Sequence, residues 1–349
     1  MTSAFTKENT NIAKGIAVIM LLIHHLFFIN QKPLFNDIVL FRWDSIEYGV
    51  FYICSAICKV CVSLFAFLSA YGVYISYEKS ENVIQFYKRR FFKLYLHFWL
   101  IWLLFVPIII IFFNKSFDVV YHRPVIINFL TNFLGIQSFF NLYGGYNGSW
   151  WFISLIILFY LLFPLFYKIS KNQYVLFYTF VSSLFLYFLG YSRNLCFVYY
   201  YLPVFLFGII CAKYNLIVKI GQFLDRKYNC LLILLIILFS TTRIFLVHST
   251  GQGYSSCVDI ILSDLIVQLS YNLVTSGGAK PSLLLRFGEV SMSVYLFHCF
   301  LITYIPNIIY FSKNPFLITL EMVLICYILG VIINCLNNRI TKFLKRKVN

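Results

Sequence analysis

Long apolar runs, separated by short polar or basic stretches, recur along the chain from end to end. A run of about 18 residues or more can cross a hydrocarbon core of roughly 30 Å as one helix. The pattern predicts ten such spans, near residues 12–29, 57–77, 91–113, 150–168, 174–190, 196–213, 230–247, 257–274, 287–309 and 316–336. A transmembrane β-barrel calls for alternating segments of about ten residues, a pattern not seen here. The expected fold class is therefore all-α: a polytopic membrane protein whose residues 1–349 form a single integral-membrane domain. The first run has the length of a full span and lacks a small-x-small cleavage site, so it reads as a span and not as a cleaved signal peptide.

Composition agrees. Charged residues make up 11% of the chain and hydrophobic ones 61%, against about 25% charged in soluble domains. The net charge of +16 turns out to be a topology signal. With the N-terminus inside, 20 of the 28 basic residues fall on the cytoplasmic side and 8 outside. Moving the count by one span scrambles that asymmetry, so the positive-inside rule favours ten spans with both termini cytoplasmic. The outer set is Lys32, Arg42, Lys59, Lys115, Arg123, Arg193, Arg243 and Lys313. Because basic residues are spread over every inner loop, nucleic-acid binding is not expected. The bilayer itself is the expected partner, and the cell membrane the expected location.

Candidate chemistry stands out against this apolar background. His24 and His25 sit side by side deep in the first span. An ionisable group in hydrocarbon is costly unless it faces protein or water, and histidine is poised to take and return a proton near neutral pH. The alternative is a packing histidine bonded to a neighbouring helix. By helix rise His25 lies about 20 Å up the first span, in the outer half of the membrane. Asp259, Asp264 and Glu321 enter their spans from outside, roughly 3–11 Å below that surface. They are candidate acid partners for His25, or else structural partners for Arg243 and Lys59.

On the inner side, Lys88, Arg89, Arg90 and Lys93 crowd the start of span 3, followed by Tyr95. Such a cluster can hold phosphates, or serve as ordinary basic flanking. The outer connector Tyr143–Phe152 combines glycines with aromatic rings that suit sugar faces or the interfacial belt, and Asn147-Gly-Ser149 matches a glycosylation acceptor. Cys54, Cys58 and Cys61 fall at i, i+4, i+7, but the sequence places no fourth ligand beside them, so no metal site is expected.

Several of these residues occur in an order that resembles a known family. Lys14 precedes His25 by eleven positions. Leu64-Phe-Ala-Phe-Leu-Ser69-Ala70-Tyr71, Arg90-x-x-Lys93-x-Tyr95, Trp151-Phe-Ile with Phe159-Tyr160 and Pro164, and Ser291-x-Ser293-x-Tyr295-Leu-Phe-His298 follow in sequence. Together they look like the membrane-bound acyltransferase-3 family, which O-acylates cell-surface glycans and related molecules. The resemblance implies a cytoplasmic acyl-coenzyme A donor, acetyl-CoA above all, and a glycan acceptor at the outer face. It makes His25 the catalytic histidine, and Lys14, Arg90 and Lys93 the groups that hold the donor's phosphates.

Lys14 and Lys93 stand where the family has arginine, which keeps the charge but loses the bidentate fork. Ser69-Ala70 replaces a usual Ser-Gly, and no glutamate follows Trp150-Trp151. Tyr95, Ser69, Tyr295 and His298 are further candidates for lining the donor path.

The expected function is thus transfer of an acyl group, acetyl in the first instance, from acyl-CoA to a sugar hydroxyl of an envelope or extracellular polysaccharide. His25 acts as general base, and no cofactor is held permanently. The rival reading is a transporter or flippase for a lipid-linked saccharide. It fits the intramembrane His and acids, but no inverted repeat is visible. A membrane-bound regulator with a dead site is a further rival.

Overall fold

The computed structural model describes residues 5–28, 46–121, 124–142, 145–190, 196–250, 255–275 and 281–348. Among them every regular element is helical. In chain order these are α1 (Lys7–Phe27), α2 (Ile46–Cys58), α3 (Cys61–Glu78), α4 (Val83–Phe113), α5 (Phe117–Val120), α6 (Val125–Phe133), α7 (Trp151–Ser170) and α8 (Gln173–Gly190). Then come α9 (Cys196–Tyr214), α10 (Leu216–Phe223), α11 (Asn229–Thr250), α12 (Ser256–Thr275), α13 (Ser282–Tyr304), α14 (Pro306–Ile309) and α15 (Pro315–Val348).

Nine stretches among the described residues are long and apolar enough to cross a membrane, and they coincide with nine of the expected spans. The tenth, 174–190, coincides with α8, whose apolar stretch is the shorter Gln173–Leu186.

The departures are local. The span expected over 287–309 stops at Tyr304, and a separate short helix starts at Pro306, which has no N–H to continue the first ladder. The last helix runs on to Val348, because Arg339, Lys342 and Arg346 end the apolar stretch without ending the helix. The connector residues Tyr143 and Gly144, and the basic residues Lys32, Arg42, Arg123, Arg193 and Lys280, lie outside the described residues.

The chain divides into two compact units, one of Met1–His24, Ile53–Phe86 and Tyr160–Glu289, the other of His25–Tyr52, Tyr87–Phe159 and Val290–Asn349. Without a hydrophobic drive between helices in lipid, small residues that let backbones touch carry much of the packing. In the first unit α1 and the start of α13 do this reciprocally. A Cβ on Gly15 would lie 2.1 Å from the carbonyl oxygen of Leu284, and one on Gly288 1.8 Å from that of Asn11. Only glycine fits at either place. Rings then fill the gaps between larger helices: Tyr77 meets Phe86, Phe163 and Tyr167 at 4.9, 5.4 and 4.6 Å between centroids.

The second unit is organised around the middle of α13. Phe105 of α4 stacks on Phe297 and Phe300, with centroids 5.7 and 5.0 Å apart. Trp150 wedges edge-on between Phe98 and Phe300, at 4.8 and 5.5 Å. Such ring pairs are worth about 0.5–1.5 kcal/mol each beyond the area they bury.

Candidate active site

His25 and His298 each follow a contact glycine, Gly15 or Gly288, by ten positions. In the second unit the two imidazoles meet. Nδ1 of His25 is 3.3 Å from Nε2 of His298, and the rings stand edge to face at 4.7 Å. His298 is fully buried, whereas His25 keeps partial exposure.

The protonation pattern follows from the neighbours. Nδ1 of His298 faces the carbonyls of Val294 and Tyr295 at 3.0 and 2.8 Å. Carbonyls only accept, so Nδ1 of His298 carries the ring proton and Nε2 carries the lone pair. That lone pair in turn accepts from Nδ1–H of His25, a long hydrogen bond. The lone pair of His25 is then on Nε2. In this tautomer His298 fixes the ring direction of His25.

Sequence reasoning placed His298 among donor-path candidates and did not join it to His25; 273 positions separate the two. His24 points elsewhere, as the turn of about 100° per residue demands. Its Nδ1 lies 2.8 Å from the carbonyl of Ser55 and its ring is buried, so it is the packing histidine of the two.

The turn Gly148–Trp150 closes on the same stretch of α13. Asn147 and Trp150 both donate to the carbonyl of Leu296 at 2.9 Å, and Tyr295 donates to the carbonyl of Ser149. Ser149 donates its own hydroxyl to Asn147 Oδ1 at 2.6 Å. Cys299 Sγ is 3.3 Å from Nε2 of His298. The role of this turn corrects two expectations. Trp150 and Tyr146 are 0% and 1% exposed, so neither ring offers a face to a sugar or sits in an interfacial belt. Asn147, 2% exposed and bonded to α13, is no glycosylation acceptor.

Tyr146 donates to the Lys115 carbonyl at 2.7 Å, and Tyr121 to Asn132 Oδ1 at 2.9 Å. Burial pushes the Tyr146 phenol up to about 12 and raises Tyr121 as well, so both remain donors.

The remaining candidates are placed as follows. Lys14 is half-buried on α1, about 16 Å from His25 along the helix by its rise. Arg90 is half-buried and Lys93 exposed on α4. Tyr95, one turn on from Phe91, donates to the carbonyl of Leu134 at 3.0 Å and Trp99 to that of Phe133 at 3.0 Å, which satisfies the carboxyl end of α6. Ser69 pairs with the Tyr160 hydroxyl at 3.3 Å. The Glu321 side chain, on α15, makes no hydrogen bond or ion pair with a described residue. Asp264 lies on α12 in the first unit, and its Oδ1 is buried with no hydrogen-bond partner among the described residues.

Asp259 takes the structural alternative. In the first unit it accepts from Arg243 Nε at 2.6 Å, Ser63 at 3.0 Å and Tyr200 at 3.0 Å. Arg243 also donates to the Ala56 carbonyl at 2.8 Å. Further along α12, polar atoms of Ser263, Asp264, Gln268 and Asn272 are buried without partners among the described residues.

Comparison with curated proteins and with solved structures found no match. A family model does match: the acyltransferase-3 model, described as an acyltransferase domain, covers residues 8–337. That range runs through both units and takes in every residue of the site, so the chain belongs to the acyltransferase-3 family: it is an acyltransferase and a multi-pass membrane protein.

Proposed function

We propose that the chain transfers an acyl group, acetyl by expectation, from cytoplasmic acyl-CoA to a sugar hydroxyl of an envelope or extracellular polysaccharide at the cell membrane. The observation that carries this reading is the ordered His25–His298 pair. His298, locked by two backbone carbonyls, holds His25 with Nε2 as the proton acceptor. His25 takes the acceptor's hydroxyl proton as the oxygen attacks the thioester carbonyl. The carbon–sulfur bond then breaks, and the imidazolium returns the proton to the departing coenzyme A sulfur. The ester and free coenzyme A leave, and His25 is neutral again.

Lys14, Arg90 and Lys93 hold the donor's phosphates on the cytoplasmic side, a positioning role built on charge-assisted hydrogen bonds. Tyr295 and Ser69 are the further candidates for contacting the donor, and Asp264 and Glu321 the candidate acid partners. In this arrangement the pantetheine arm rises along α1 toward His25, and the acceptor arrives from the opposite side.

One observation favours a second reading, passage of a polar saccharide through the first unit: the buried, unpartnered polar atoms along α12. A single experiment separates the two. In sealed vesicles of known orientation, acyl-CoA supplied only to the cytoplasmic side should acylate a glycan present only outside, and the mass of that glycan names the group moved. Movement of unmodified saccharide with no acylation establishes the second reading. Acylation confined to a cytoplasmic acceptor contradicts the transmembrane arrangement.

A further inference from the structure

His25, His298 and Cys299 offer three ligand atoms that all lie within 4.8 Å of one another. Two of the separations, His25 Nδ1 to His298 Nε2 and His298 Nε2 to Cys299 Sγ, are both 3.3 Å. Zinc binds nitrogen at about 2.0–2.1 Å and thiolate at about 2.3 Å, which sets neighbouring ligand atoms of a tetrahedron roughly 3.3–3.6 Å apart. The two edges that meet at His298 have that length, and the third, from His25 to Cys299, lies within 4.8 Å. Part of the outer shell is in place too: His298 donates its other ring proton to backbone carbonyls, as metal-bound histidines do. His25 and Cys299 keep partial exposure, so an ion has a way in.

We propose that His25, His298 and Cys299 form a zinc site whose occupation switches the acyltransferase off. The ion takes Nε2 of His298, Nδ1 of His25 and the sulfur of Cys299, with water as fourth ligand. Binding displaces the thiol proton to solvent. It also moves the ring proton of His25 from Nδ1 to Nε2. Nε2 is the position that accepts the substrate proton, so the metal blocks catalysis through the tautomer as well as by occupying the space. The binding claim stands on the ligand geometry alone; the inhibition rests on His25 being the base.

The full-length protein in detergent, stripped with chelator, is titrated with zinc alone and, in parallel, with cobalt as a spectroscopic probe. One equivalent should bind. The cobalt form should show a sulfur-to-metal charge-transfer band and intense tetrahedral ligand-field bands. Cys299→Ser should lose the charge-transfer band, weaken zinc binding by at least about tenfold and keep basal acyl transfer, now resistant to zinc. Wild-type activity should fall as zinc saturates and return with chelator. Zinc bound equally well by wild type and Cys299→Ser, or no stoichiometric binding, overturns the site. Stoichiometric binding that needs Cys299 but leaves acyl transfer untouched keeps the site and removes His25 as the base.

Discussion

Two clusters of ionisable side chains lie buried in apolar helices of this chain, and they are built in opposite ways. In the first unit both oxygens of the Asp259 carboxylate accept, from Arg243, Ser63 and Tyr200. Three of its about four lone-pair sites are thus committed, and Asp259 and its ion-pair partner Arg243 are each 1% exposed. In the second unit His298 is held by two carbonyls and spends its remaining nitrogen on orienting His25, which keeps partial exposure. The first arrangement neutralises a buried charge. The second, on the function proposed above, prepares a group for proton transfer. Burial of an ionisable residue in a membrane helix therefore does not by itself mark a catalytic site; the count of committed lone pairs separates the two cases.

The contrast can be broken most forcefully in the first unit. Asp259→Ala leaves the Arg243 guanidinium buried without its counter-charge, a loss of about 3–5 kcal/mol. Thermal unfolding in detergent and the yield of membrane-inserted protein should both drop, and activity should fall only in proportion to protein lost. A normal melting temperature would show that the ion pair is not structural.

In the second unit the orienting residue should behave in reverse. His298→Ala should accumulate normally and lose about 10–100-fold in kcat, the usual loss when a histidine's orienting partner is removed. His298→Gln, whose amide oxygen can accept from Nδ1–H of His25, should recover part of that rate. Equal rates for alanine and glutamine would mean that the second imidazole only fills space.

The smallest effects belong to the cationic end. Arg90→Ala and Lys93→Ala should raise the KM for acyl-CoA with kcat little changed, since a phosphate contact made equally in ground and transition states is lost from binding alone. Lys93→Arg, which restores a bidentate fork, should match or improve on the native residue. An unchanged donor KM in both alanine variants reduces the cluster to membrane flanking.

The spans were readable because runs of this length and apolarity have few other uses, and α3, α7, α8, α9, α11 and α12 lie close to where hydropathy alone put them. Helix ends were less so: the stop at Tyr304 depends on Pro306, and α15 outlasts its apolar stretch. His25 was legible as an ionisable residue at depth and through its likeness to a family histidine. Its pairing with His298 was not, because no local pattern encodes a contact 273 positions apart. The aromatic connector was misread for a related reason. Tyr146 and Trp150 have the same composition whether they face lipid headgroups or a helix, and the hydrogen bonds to Lys115 and Leu296 that bury them are tertiary. Asp259 was open between two roles until Arg243 was found beside it.

The central claim is that one of two adjacent histidines does the chemistry and the other packs. Acyl transfer by His25→Ala and His24→Ala, each purified and matched for inserted, folded protein, tests it most directly. The account predicts that His25→Ala loses transfer by at least about 10²-fold, as expected for a missing general base. It predicts that His24→Ala retains the native turnover per folded molecule, with its damage confined to stability through the lost bond to Ser55. An active His25→Ala beside an inactive, well-folded His24→Ala would contradict it.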